Sequence, residues 1–312
     1  MRTYTDSRCL DHTAPPGYPE RPARLEVILE RARQEGWPLE TAVTIDDAAV
    51  RQAVLAVHDP EYVGRFERAV ARGDGLLDSA DNPLSPASWD AASGAVAATL
   101  AAAEAALAGS ATFAAVRPPG HHAEHATAMG FCYFANIAVA AQHLIDQHGV
   151  ERVAIVDFDV HHGNGTQHLF EDRADVFFAS LHQFPLYPGT GAASETGRGA
   201  GSGATLNLPL AAASDDEVYL EAFDDALVPA LAAFAPDVLL VSAGFDAWQG
   251  DPLGGMRVTE AGFEAFGRKL GACAQRHCGG RLMSALEGGY DVSRLGDLVA
   301  AYRLGLEDAA AL

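Results

Sequence analysis

Short apolar runs rich in β-branched and aromatic residues alternate along this chain with longer stretches in which apolar positions recur every three or four residues. The short runs, at 112–116, 153–158, 176–180, 238–242 and 281–286, are continuously hydrophobic, the pattern of strands covered on both faces. The longer stretches, at 22–35, 60–72, 88–108, 137–147, 215–234, 260–276 and 297–307, predict helices. Alternation of this kind predicts an α/β protein: a single, mostly parallel sheet flanked by helices on both faces. Pro and Gly cluster at 78–86, 187–203 and 250–255, each time beside a strand end or a helix start. They read as site-forming loops of one domain spanning 1–312, not as linkers.

Composition narrows the functions available to such a fold. Asp and Glu number 42 against 21 Lys and Arg, leaving −21 over 312 residues. That field repels phosphate, so no nucleic-acid partner is expected, and it would attract a cationic substrate. The alanine-rich run at 91–108 is broken by Gly94 and Glu104 and is too weakly apolar to span a bilayer, so no membrane partner is expected either. The opening MRTYTDSRCLDH has no apolar core of an export signal, which predicts a cytoplasmic protein. Cys9, Cys132, Cys273 and Cys278 lack C-x-x-C spacing and are read as reduced, buried thiols.

Eight of the twelve histidines fall between 121 and 168. His143 and His148 lie in a helical, partly polar segment and read as surface residues. The others include two adjacent pairs with chemistry around them. In IVDFDVHHGNGT, starting at Ile155, an apolar strand runs into acids, imidazoles and then glycine. Residues two apart share a strand face, so Asp157, Asp159 and His161 are expected on one side at its carboxyl end. Carboxylates buried there need a cation or donors, and no basic residue is local. A divalent metal on Asp159 and His161 meets that need. A third donor is best supplied by Asp246, at the end of VLLVSAGFD, because carboxyl ends of parallel strands share one edge; alone, Asp246 would read equally well as a turn or capping residue.

Two further segments reach the same edge. Arg117-Pro118-Pro119-Gly120-His121-His122 follows the strand at 112–116, with prolines that stiffen the turn and a glycine that permits close approach. Its adjacent imidazoles suit hydrogen bonding to a water activated by the metal, one as base and one as electrostatic partner. Leu286-Glu287-Gly288-Gly289-Tyr290 ends another strand, and its phenol could stabilise a developing oxyanion, although an isolated tyrosine there would more often simply pack. With no Ser or Cys nucleophile in these segments, the pattern points to hydrolysis by water.

Together RPPGHH at 117–122, GFCYF at 130–134, VDFDVHHGNGTQ at 156–167, SLHQF with YPGTG at 180–191, SAGFDAWQGDPLGG at 242–255 and LEGGY at 286–290 closely resemble the zinc-dependent histone deacetylase superfamily. They look most like its class II branch and the bacterial histone deacetylase-like amidohydrolases, because Asn164 and Glu287 stand where class I members usually have Asp and Gly. The resemblance implies the arginase/deacetylase fold and hydrolysis of an N-acyl amide, typically acetyl-lysine, to an amine and acetate. It implies zinc on Asp159, His161 and Asp246, His122 as general base beside His121, Tyr290 as the carbonyl-polarising phenol, and Asp157 and Asn164 as partners that orient the two histidines. It further implies a structural potassium ion on the backbone of Asp157, Asp159, His161 and Leu181 and the hydroxyl of Ser180. Phe131 and Tyr187, with Gly130 and Leu253, match the walls and edge of an acyl-lysine tunnel.

The chain departs from the family at Ala135, where Asn is frequent, and at Tyr18, where His or Phe is common, in a loop bordering the substrate mouth. Asp78 or Asp81 could supply a rim carboxylate for a substrate backbone, against the plainer reading of either as a solvated loop acid. The resemblance implies an acidic gatekeeper at the position of Leu253 in acetylpolyamine-selective relatives, and leucine there lowers an acetylpolyamine or small N-acyl amine reading without removing it. A catalytically silent acyl-lysine reader and an arginase-like binuclear enzyme fit less well, the latter because His162-Gly163-Asn164 follows the strand in place of further carboxylates. Ferrous iron in place of zinc, and an oligomer, stay open.

Overall fold

The computed structural model describes residues 1–41 and 45–310. Its centre is an eight-stranded sheet built from β1 (Arg2–Tyr4), β2 (Leu39–Glu40), β5 (Thr112–Ala114), β6 (Val153–Asp157), β7 (Val176–Gln183), β8 (Thr205–Leu210), β9 (Val238–Ala243) and β10 (Leu282–Leu286). The strand order is β2-β1-β5-β10-β9-β6-β7-β8, and every neighbouring pair is parallel. A small antiparallel hairpin, β3 (Leu76–Leu77) with β4 (Ser79–Pro83), stands apart from it. All residues of β6, β7, β9 and β10 are buried, which is why they read as unbroken apolar runs.

Helices flank the sheet in two groups. On one side α4 (Ser88–Ala106) packs on α5 (Asn136–His148); on the other α9 (Glu260–Cys278) packs on α10 (Leu295–Ala310), with α1 (Ala23–Glu35) beyond. Fourteen of the nineteen residues of α4 are buried, against α2 (Asp47–Leu55), α3 (Pro60–Arg72), α5, β1, β5 and β10. Alanine therefore does more there than favour helix: it lets backbones close in from several sides.

Five strands appear where the apolar pattern predicts them, with ends shifted by one to three residues. The pattern misses β1 and β2, which are too short for any periodicity, and β8, whose TLNLPL contains Pro209. That proline is tolerated because β8 is an edge strand, paired only with β7. It also misses α2 and the short α6 (Asn164–Phe170). The helix expected at 215–234 forms as α7 (Asp216–Ala222) and α8 (Val228–Phe234) joined by a wide turn, in which the Val228 N–H reaches back five residues to the Phe223 carbonyl. Pro229, with no N–H to donate, sits just beyond that turn.

The order of strands in the sheet sets where the chemistry gathers. β5, β10, β9, β6 and β7 are five consecutive central strands, and the segments leaving their carboxyl ends are those bearing His121, Tyr290, Asp246, His161 and Tyr187.

Candidate active site

The acids and imidazole after β6 do not lie on a strand, which stops at Asp157. Their side chains share one side for another reason. The Asp157 carboxylate accepts the Asp159 N–H (3.0 Å), and the Asp159 carboxylate accepts the His161 N–H (2.9 Å), so two successive Asx turns keep the i, i+2 spacing after the sheet ends. Asp246, leaving β9, is brought against them. Ligand atoms of Asp159, His161 and Asp246 lie within 4.8 Å of one another, and His161 Nδ1 stands 3.1 Å from Asp159 Oδ1 and 3.2 Å from Asp246 Oδ2.

The surroundings leave these donors one task. Asp159 Oδ2 accepts the Gly288 N–H (2.8 Å) and Asp246 Oδ1 the Val160 N–H (2.9 Å), fixing both carboxylates from behind. Asp246 Oδ2 is buried and, despite its proximity to His161, has no hydrogen-bond partner among the described residues. A Cβ at Gly288 would lie 2.1 Å from that oxygen, and one at Gly244 2.1 Å from Asp159 Oδ2, so both positions must lack a side chain. Burial disfavours a charged His161, but Asp159 and Asp246 outweigh it and raise its pKa to about 10. Two buried carboxylates facing one imidazole nitrogen hold a proton there or a metal cation, and the orphaned oxygen and nitrogen–oxygen donor set fit a divalent ion of the zinc kind.

The two histidines after β5 are buried side by side, ring centroids 4.0 Å apart, with different partners. His121 Nδ1 bonds Asp157 (2.9 Å); His122 Nδ1 bonds the neutral Asn164 (2.7 Å), whose amide is held in turn by Glu124 (2.5 Å). Burial lowers both pKa values. Asp157 and Asp159 overcome it at His121, which ends well above the ordinary 6.5, whereas at His122 the positive neighbours His121 and His161 add to it, and the pKa falls well below. One imidazole is kept charged and its neighbour neutral.

A cavity of about 260 Å³ opens over this floor. The buried His122, Gly130, His161 and Tyr290 form its deeper lining, and the less buried Phe131, Asp81, Leu186, Leu253 and Tyr187 its outer part, Tyr187 being the most exposed. Phe131 takes a left-handed backbone (φ 68), rare for a bulky residue, next to Gly130 (φ 56), where a Cβ would strike the His122 ring at 2.3 Å. Tyr18 packs edge-on to Phe131 (5.5 Å) and donates to the Ala80 carbonyl, at the mouth as its sequence position suggests. Asp81 lines the cavity; Asp78 is committed to Arg65 and the Ala128 N–H and serves the loop instead. Burial keeps the Tyr290 phenol well above its ordinary pKa and so protonated.

Residues 18–306 match the histone deacetylase domain. The chain belongs to the histone deacetylase family. It is 40% identical over 287 residues to a probable deacetylase of Archaeoglobus fulgidus, covering 91% of this chain and 79% of that protein. It is 40% identical over 275 residues to a histone deacetylase-like amidohydrolase of Pseudomonas aeruginosa (87% and 71% covered). The crystal structure of an acetylpolyamine aminohydrolase from Burkholderia pseudomallei superposes with a TM-score of 0.89 at 32% identity, over 99% of each chain. The chain is accordingly an amidohydrolase on the arginase/deacetylase fold.

Several residues that shape this candidate site gave little sign in the sequence. Glu20 is buried between Arg117 (2.7 and 2.8 Å) and Arg24 (3.3 Å). Arg24 donates to the carbonyls of Gly289 (2.7 Å) and Glu287, bracketing Gly288, and stacks under the Tyr290 ring at 4.7 Å. Glu287 accepts the Gly120 and His121 N–H groups (2.7 and 3.1 Å), and Asp251 those of Tyr290 and Leu253 (2.6 and 2.9 Å). Arg117, Asp251 and Glu287 lie inside motifs the sequence displays, but their roles did not show there; nothing in one sequence marks which charges will be buried.

Proposed function

We propose that residues 1–312 act as a single zinc-dependent deacetylase domain that removes acetyl or another short acyl group from the side-chain amine of acyl-lysine or a similar linear amide. The observation behind this is the buried Asp159–His161–Asp246 cluster with its unpartnered carboxylate oxygen, at the floor of an aromatic-walled cavity shared with His122 and Tyr290. Zinc on these three residues would supply Lewis acidity to the acyl oxygen and lower the pKa of water.

The chain's own groups supply the rest. His122, kept neutral and with Nδ1 engaged by Asn164, presents Nε2 as the base that takes a proton from water as the water oxygen adds to the acyl carbon. It returns that proton to the departing nitrogen as the C–N bond breaks, giving an amine and a carboxylic acid, and the acid's proton passes to the amine to leave an ammonium and a carboxylate. His121, charged against Asp157, stabilises the negative charge that develops, and the Tyr290 hydroxyl donates to the acyl oxygen. Phe131 and Tyr187 wrap the methylene chain, Gly130 gives the wall its close approach to His122, and Leu253 closes the edge.

We also place a structural potassium ion on the carbonyls of Asp157, Asp159, His161 and Leu181 and the hydroxyl of Ser180. Asp157 and Ser180 are register partners across β6 and β7. Among the described residues no donor reaches the carbonyls of Asp159 or His161, both in buried residues, a state a cation relieves. Four buried, unpaired cysteines favour a reducing compartment, the cytoplasm, and no described helix is long and apolar enough to cross a membrane.

An acetylpolyamine is the second reading, favoured by the Asp81 carboxylate at the cavity mouth and the charge of −21. The test of the main reading is product analysis: zinc-loaded protein should convert an acetyl-lysine peptide to the unacetylated lysine peptide and acetate in equal amounts. His122→Ala should lose about 100- to 10,000-fold in turnover, as expected for a general base. Wild-type turnover in that variant would contradict the assignment.

A further inference from the structure

The helix ends at the opposite edge of the sheet hold a second cluster of metal-binding side chains. Glu104 lies near the end of α4, and His143 and His148 lie on the last turns of α5, ahead of β5 and β6 respectively. These are the amino-terminal ends of the strands, whereas the candidate active site is at their carboxyl ends. Both imidazoles turn Nε2 to the same carboxylate oxygen, Glu104 Oε1: His143 at 2.8 Å and His148 at 3.5 Å. The two rings are 5.4 Å apart, and the three donor atoms lie within 4.8 Å of one another. We propose that Glu104, His143 and His148 form a second, exchangeable binding site for a d-block divalent cation such as zinc, copper or nickel.

The geometry and setting favour that class. Donors bound tetrahedrally at about 2.0–2.1 Å stand roughly 3.3–3.5 Å apart, so His143 and Glu104 need to open by about half an ångström or slightly more, while His148 already stands at that spacing from Glu104. Two imidazoles and one carboxylate suit zinc, copper or nickel better than magnesium or calcium, which prefer all-oxygen shells. The carboxyl end of α5, closed by Gly149 in the left-handed conformation (φ 66), points the negative end of the helix at the cluster. No arginine or lysine is paired with Glu104 among the described residues; its only ion-pair partners are the two histidines. Side-chain exposures of 16% for His143, 33% for His148 and 39% for Glu104 leave room for water to complete the shell. No carboxylate or carbonyl holds either Nδ1 among the described residues, so the site should bind more weakly than the buried cluster and exchange its ion.

An ion there joins the ends of α4 and α5 across 39 residues of chain. It should therefore stabilise the fold in proportion to the logarithm of free metal without entering catalysis. The proposal is independent of the Asp159–His161–Asp246 assignment. Zinc titration of metal-free protein against a chelating dye should give two equivalents per chain for the wild type, one tight and one exchangeable. H143A/H148A should keep the tight equivalent and basal hydrolysis and lose the other, together with the rise in Tm that excess zinc gives the wild type. Copper added to a wild-type sample already holding one zinc should show nitrogen coupling in its electron paramagnetic resonance spectrum, absent in H143A/H148A. A wild type that takes up no more zinc than H143A/H148A, whatever the total, would overturn the proposal.

Discussion

At the scale of single residues the chemistry rests on small differences between like groups. His121 and His122 are neighbours of similar burial, and what separates them is charge: carboxylates, Asp157 foremost, face the first, while the second has a neutral amide on Nδ1 and the imidazoles of His121 and His161 beside it. Tyr290 is a phenol kept protonated by burial and aimed by its backbone bond to Asp251 and the Arg24 guanidinium beneath its ring. Tyr290→Phe removes one hydroxyl and leaves packing nearly intact. Loss of one donor to a developing oxyanion costs about 2.7–4 kcal/mol, so turnover should fall roughly 100- to 1000-fold. Acyl-lysine binding should persist, measurable by the variant's affinity for intact substrate. A fall in turnover of less than about threefold would remove Tyr290 from the electrophile role.

At the scale of elements, the site stands on a charged network under its loops. Glu20, just ahead of α1, ties Arg117 after β5 to Arg24 in α1, and Arg24 holds the turn after β10. Burial works to raise the Glu20 pKa, but Arg117 and Arg24 prevail and bring it down to about 2. In the unfolded chain a glutamate titrates near about 4.3. Its folded pKa is thus depressed, and its contribution to stability is complete above the unfolded value and drains away as pH falls from about 5 to 2. Glu20→Gln leaves two buried guanidiniums without their carboxylate and should cost about 3–5 kcal/mol in denaturant unfolding at neutral pH. The gap between variant and wild type should narrow towards pH 2; a constant gap would mean that Glu20 acts through packing rather than charge. Nothing in the sequence showed this network. The apolar runs predict β5, β6, β7, β9 and β10 because strands covered on both faces leave a continuous signal, and those strands deliver Asp159, His161, Asp246, His121 and Tyr290 to one edge. β1, β2 and β8 were illegible because a two- or three-residue strand has no period and Pro209 argues against a strand unless the edge position is known. Glu287 and Asp251 stood inside or beside recognisable motifs, but what they do is accept backbone N–H groups from distant loops, and that pairing exists only after folding.

At the scale of the molecule, charge and cavity pull specificity in different directions. A field of −21 raises the concentration of any polycation near the surface, while the walls formed by Phe131, Tyr187 and Leu253 give an internal ammonium no paired carboxylate. Acetyl-lysine peptides should therefore exceed N-acetylated spermidine or putrescine in kcat/KM, and Leu253→Glu should shift the ratio towards the polyamine. Steering fades with ionic strength and a built pocket does not, so the ratio should be measured at low and high salt. A polyamine preference that survives at high salt would assign the selectivity to the cavity, with Asp81 as the acid to replace first. The central claim is that Asp159, His161 and Asp246 hold the ion on which hydrolysis depends, and one titration tests it. Zinc is added in fractions of an equivalent to metal-free wild type and to Asp246→Ala while deacetylation of an acetyl-lysine peptide is followed. Activity of the wild type should rise linearly and reach its plateau at the first, tight equivalent, whereas Asp246→Ala should lack that equivalent and stay inactive throughout. Full activity in metal-free wild type, or an Asp246→Ala protein that takes up the tight zinc and hydrolyses at the wild-type rate, would contradict it.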